Sequence, residues 1–277
     1  MVVSFVKKRD FLICVDSDGC VMDTMNSKHK NCFGPCMVEQ WGLEDWRDAV
    51  LDRWNGINLF SMTRGVNRFQ GLALALGEVD KMYTPIAGID TLQRWVDTAP
   101  ALSDAALEKE AQGEDKLIFQ KALAWSDAVN NAVQALPQQM KAPFPGAKEA
   151  LAAAHTFADV AVVSSANREA VEQEWSRFGL LGYTDAVLTQ DAGSKADCIA
   201  RMLEQGFDPK KVLMIGDAPG DSKAAQKNGV YFYPILVNHE QESWREAVTV
   251  AFEKLKTGAY DAYGEEKYRA FLQNLGQ

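Results

Sequence analysis

The chain has 277 residues, 47% of them hydrophobic and 24% charged, so it carries enough apolar mass for a sizeable core and more length than one average domain needs. Its formal net charge of -9 argues against a nucleic-acid polyanion or an acidic membrane surface as the main partner. No stretch approaches the roughly 20 apolar residues of a membrane span.

The opening MVVSFVKKRD has too short an apolar run for a signal peptide, and its charges follow that run. The first predicted strand, FLICVD (11–16), runs into Asp16 and Asp18 on either side of Ser17. Residues two apart on a strand share a face. The two like charges are therefore forced together, unless the strand ends and they splay into a turn or something positive sits between them.

The next strand signal comes only at ADVAVVSS (158–165), far beyond the length of a loop. The intervening chain is rich in helix formers and tryptophan, in EQWGLEDWRDAVLDRW (39–54), NRFQGLALALG (67–77), GIDTLQRWVD (88–97), SDAALEKEA (103–111) and KLIFQKALAWSDAVNNAVQAL (116–136). It reads as a helical domain inserted after the first strand, and PQQMKAPFPG (137–146) punctuates the return.

From there strands and helices alternate. Helix 146–155 leads into the strand over 158–165, and helix 168–180 into DAVLTQ (185–190). Helix 195–206 precedes KVLMIGD (211–217), and VYFYPIL (230–236) closes the series before an amphipathic tail from about Asn238. Near-continuous apolar strands alternating with helices predict an α/β fold: a doubly wound, Rossmann-like parallel sheet with an inserted α-helical domain. The expected boundaries are 1–23 and 144–240 for the core, 24–143 for the insert, and 241–277 for a helical extension packing on either. The five scattered cysteines suit reduced thiols in a cytoplasm.

In such a sheet, ligands sit outside the carboxyl ends of the strands. Those ends carry Asp16 and Asp18, then Ser164, Ser165 and Asn167, then Lys195 at a helix start, then Asp217 and Asp221. Acids gathered on one rim repel each other unless a hard cation neutralises them, and magnesium takes oxygen ligands while keeping waters for a phosphate to share.

DSDGCVMD, VVSSAN, GSKAD and GDAPGD, in this order and on these elements, resemble the four motifs of the haloacid dehalogenase-like hydrolase superfamily. The insert resembles that superfamily's helical cap of the first type. The resemblance implies a phosphatase with Asp16 as nucleophile and Asp18 as general acid and base. It implies Mg2+ held by Asp16, Asp217 and the main-chain carbonyl of Asp18, phosphoryl contacts from Ser164 or Ser165 and from Lys195, and Asp221 orienting behind them. Members that displace halide lack an acid at the position of Asp18. The phosphonate-cleaving branch departs there too and needs a cap lysine, whereas residues 31–80 contain none.

TRGVNRFQGL (63–72) resembles the cap stretch of the superfamily's sugar-phosphate mutases, which makes Arg64 or Arg68 a candidate for the far end of the substrate. His29, Cys32 and Cys36 have spacing that could suggest a metal but no fourth ligand nearby, and the tryptophans at 41, 46, 54, 95 and 125 suit an apolar core. The expectation is a cytoplasmic monomer or homodimer, with no nucleic-acid or membrane partner, that hydrolyses a small phosphorylated metabolite through an aspartyl-phosphate. A phosphomutase using the same intermediate and a non-catalytic phosphate-binding regulator are the alternatives.

Overall fold

The computed structural model describes residues 5–113 and 116–277. Residues 1–4 of the expected core, and residues 114–115, lie outside the described residues. The chain divides into two compact units, one formed by Met1–Met25 with Gln138–Gln277 and one by Asn26–Pro137. Residues 138–143, expected in the insert, therefore belong to the first unit.

Among the described residues, the first unit holds a five-stranded parallel sheet in the order β3-β2-β1-β4-β5. The strands are β1 (Phe11–Val15), β2 (Ala158–Val163), β3 (Ala186–Leu188), β4 (Val212–Gly216) and β5 (Tyr231–Pro234). The chain is an α/β protein with a doubly wound, Rossmann-like core. Its apolar strands are buried on both faces, as parallel sheets require.

Alternation sends Ile13, Val15, Val160, Val162, Leu213 and Ile215 into one layer, and Leu12, Cys14, Ala161, Val163, Val212 and Met214 into the other. Helices α8 (Ala147–Phe157) and α9 (Arg168–Arg177) cover the first layer, and α10 (Lys195–Leu203) and α11 (Pro219–Lys227) the second. The tail forms α12 (Glu240–Glu246), α13 (Phe252–Lys256) and α14 (Asp261–Asn274). It joins the first layer through Trp244, Phe252, Leu255 and Tyr260, and Tyr260 donates its hydroxyl to the Phe232 carbonyl on β5 over 3.0 Å.

The second unit is helical: α1 (Met25–Lys28, beginning at the boundary), α2 (Gly34–Trp41), α3 (Arg47–Leu59), α4 (Arg68–Met82), α5 (Ile89–Thr98), α6 (Asp104–Glu110) and α7 (Lys116–Ala135). Its core contains buried Trp54, Trp95 and Trp125, with Trp41 and Trp46 packed at its margin. The stretch 39–54, rich in helix formers, is divided between α2 and α3, because Gly42 adopts a left-handed φ of 66° and its N–H caps α2. None of the helices among the described residues is long and apolar enough to cross a membrane.

Candidate active site

Parallel pairing fixes the geometry of the site before any side chain is considered. Val15 on β1 lies opposite Val162 on β2 and Ile215 on β4. The residues that follow these three strands therefore leave the sheet at one level. Asp16 takes one further step of the ladder, its N–H donating to the Ile215 carbonyl over 3.0 Å. The chain then turns at Gly19, with φ 82°, and the Met22 N–H closes the loop onto the Ser17 carbonyl over 2.9 Å.

The carboxylates of Asp16, Asp217 and Asp221 converge, with one oxygen from each lying within 4.8 Å of the others. All three are buried. Lys195 reaches them from the first position of α10, which Ser194 and Asp197 cap reciprocally. Its Nζ lies 2.8 Å from Asp16 Oδ2 and 2.6 Å from Asp221 Oδ1. The other Asp221 oxygen, Oδ2, accepts from the Ala218 N–H over 3.0 Å. Asp221 is thus fixed from two sides and in turn fixes Lys195.

The electrostatics of the cluster are unbalanced. Burial pushes the Asp16 carboxyl well above the usual carboxylate range, Lys195 opposes that shift, and Asp221 and Asp217 add to it. Burial also works against the Lys195 charge, but Asp16 and Asp221 outweigh it and hold the ammonium protonated. When all four groups are ionised, three negative charges and one positive leave -2 in a buried pocket. A divalent cation cancels that charge, and an all-oxygen donor set is the one magnesium prefers. The residues present fit the ion.

Asp18 is half-buried, and its Oδ1 accepts a hydrogen bond from the hydroxyl of Thr24, a fully buried residue. Thr24 was not singled out in the sequence; its signal is a lone buried hydroxyl six residues beyond the acid. Ser164, at the end of β2, is buried and accepts the Ala166 N–H on its Oγ over 3.2 Å, whereas Ser165 is exposed. Asn167 caps α9.

Within the helical unit, Arg64 is buried and donates to the Leu59 carbonyl over 2.8 Å. Arg68 donates to Ser126 Oγ at 3.0 Å and Asn130 Oδ1 at 2.8 Å, with its guanidinium over the Phe33 ring. Both arginines are engaged inside that unit. His29 stacks on Phe33 with ring centroids 4.7 Å apart, and among the described residues the acid cluster is the group with metal-ligand proximity.

Residues 100–235 match the family model described as haloacid dehalogenase-like hydrolase. Over that span, just under half of its length, the chain is similar to the haloacid dehalogenase-like superfamily. The matched span includes Ser164, Lys195, Asp217 and Asp221 and begins after Asp16 and Asp18. No curated protein matches the chain.

Solved structures of the superfamily resemble this one. A protein from Lactobacillus delbrueckii subsp. bulgaricus, described as a candidate phosphoglycolate phosphatase, has a TM-score of 0.51 at 15% identity, over 81% of this chain and 85% of that one. A haloacid dehalogenase-like hydrolase from Bacillus subtilis, described as bound to magnesium, has a TM-score of 0.44 at 15% identity, over 81% and 86% of the two chains. At such identity the first of these supports the fold alone.

Proposed function

We propose that this protein is a magnesium-dependent phosphatase that hydrolyses a small phosphorylated metabolite through a phosphoryl group carried on Asp16. The observation that carries this reading is the buried cluster: the Asp16 carboxylate, bound by the Lys195 ammonium and faced by Asp217 and Asp221. Asp16, Asp217 and the main-chain carbonyl of Asp18 would hold a magnesium ion, which when bound screens an attacking carboxylate from an anionic phosphate.

The remaining roles belong to side chains. Lys195 holds one Asp16 oxygen and leaves the other to attack phosphorus in line. As the P–O bond to the leaving group breaks, Asp18 gives its proton to the departing oxygen. Asp18 then takes a proton from water, whose oxygen bonds to phosphorus as the Asp16–phosphorus bond breaks. Inorganic phosphate leaves and the Asp16 carboxylate is restored. Lys195, Ser164 or Ser165, and the main-chain N–H groups of the two loops stabilise the phosphoryl oxygens during both steps. Asp221 keeps Lys195 in place.

We assign the choice of substrate to the helical unit, with half-buried Arg68 as its candidate contact, since Arg64 is buried against the Leu59 carbonyl. A cytoplasmic setting is supported by the five cysteines, which are joined in no disulfide. The test is release of inorganic phosphate from a panel of phosphorylated metabolites, phosphoglycolate and a generic aryl phosphate included, with magnesium and again with chelator. Turnover with magnesium alone is expected, and Asp16→Asn should lower it by at least about 10³-fold. Silence across the whole panel overturns the reading. Isomerised substrate with little free phosphate makes the protein a mutase instead.

A further inference from the structure

Two indoles from distant parts of the chain hold the loop that follows β1. Trp175, on α9, donates its Nε1–H to the Ser17 hydroxyl over 2.9 Å, across 158 residues of sequence. Trp244, on α12, donates its Nε1–H to the main-chain carbonyl of Cys20 over 3.1 Å, across 224 residues. Both tryptophans and Cys20 have no exposed surface, and Ser17 is 1% exposed.

These contacts are more than core packing. An indole N–H buried without an acceptor is strongly unfavourable, so each bond resists movement of the atom it holds. The two atoms held are in the loop that carries the acids. Ser17 separates Asp16 from Asp18, and Cys20 follows the Gly19 turn. The Ser17 side chain, between acids that face the reaction, reaches instead toward the layer under α9. The loop is thereby tied on one side by Lys195 to Asp16, from α10, and on the other by indoles from α9 and α12.

Resting on the phosphatase reading above, we infer that Trp175 and Trp244 are positioning residues for the nucleophile loop, acting through Ser17 and the Cys20 carbonyl. The tail beyond β5, which had no assignable role in the sequence, becomes part of the machinery that aims Asp16 and Asp18. In-line attack tolerates little displacement: an error of about 1 Å from a distant change can cost about 10²-fold in rate.

The experiment uses the full chain with Ser17→Ala, Trp175→Phe and Trp244→Phe. Two readouts are taken: amide hydrogen exchange of peptides covering 16–23 against those covering β2 and β4, and kcat and KM on the best substrate of the panel. Exchange in 16–23 is expected to rise about 10-fold in each variant while β2 and β4 keep their protection. The kcat is expected to fall about 10- to 100-fold with KM changed by less than about 2-fold. Ser17→Ala and Trp175→Phe break the same bond from its two ends, so the double variant should lose no more than the worse single.

Should a tryptophan variant fail to fold, Ser17→Ala still removes that bond with one atom. Loop exchange that stays at the wild-type rate, or that rises equally in β2 and β4, overturns the inference and leaves the indoles as packing. A wild type that hydrolyses nothing sinks the phosphatase reading instead, and the exchange data still decide whether the indoles hold the loop.

Discussion

Thr24 and Gly216 show how much of the site depends on residues that do no chemistry. Thr24 directs its hydroxyl at Asp18 Oδ1, so the proposed proton donor has a fixed orientation. Thr24→Val keeps the shape and removes that donor. The expected result is a fall in kcat of about 10-fold on alkyl phosphates, whose leaving oxygen needs a proton, and a smaller fall on aryl phosphates. Equal losses on both would mean that Thr24 does not serve Asp18. At Gly216 a Cβ would lie 2.3 Å from Asp221 Cγ, because the Asp221 side chain lies flat against that glycine. Gly216→Ala should cost about 1–3 kcal/mol in a urea titration and displace Asp221 from Lys195, so activity falls as well. Wild-type values on both counts would show that Asp221 moves freely. Neither residue stands out in the sequence, since a threonine six residues past an acid and a glycine closing a strand are both commonplace. Asp16 and Asp217 were legible for the opposite reason, since charges standing directly after apolar runs mark the ends of buried strands, whereas Lys195 and Asp221 were legible only by their place in the series of motifs.

At the level of elements, β2 and β3 are joined at their entry by Asp185, which precedes β3. Its carboxylate accepts from the Val160 N–H and pairs with Lys8 and His155. Burial pushes its pKa up, but these partners outweigh burial and leave it below the usual carboxylate range. A depressed folded value means that the native state binds fewer protons than the unfolded one. The contribution of Asp185 to stability is therefore complete above an unfolded pKa of about 3.9 and fades as pH falls through the lowered value. Urea midpoints should drop between about pH 5 and pH 3, and Asp185→Asn should flatten that drop. An unchanged slope in the variant would remove Asp185 from the acid response. The elements themselves were largely visible in sequence, because strands buried on both faces must be apolar throughout. The left-handed stop at Gly42 left no sign in the sequence, because helix formers stand on both sides of it. The indole bonds to Ser17 and Cys20 were invisible, since contacts across 158 and 224 residues leave no local pattern.

For the whole molecule, three buried carboxylates facing one ammonium would couple folding to the binding of the proposed magnesium ion. Magnesium at about 100 times its Kd should add about 2.7 kcal/mol to stability and raise the unfolding midpoint by several degrees. Asp217→Asn should invert the pattern, melting higher than wild type in chelator because one repulsion is gone, yet gaining little from the ion. A variant that gains as much as the wild type would place the cation elsewhere. The bond from Trp244 to Cys20 bears on the order in which the molecule is made. Cys20 leaves the ribosome 224 residues before its indole partner exists. The helical unit, by contrast, is one continuous stretch, so its contacts close over shorter separations in sequence. A nascent chain halted after α11 would own every acid of the cluster and still lack the indole strut beneath the loop that carries Asp16.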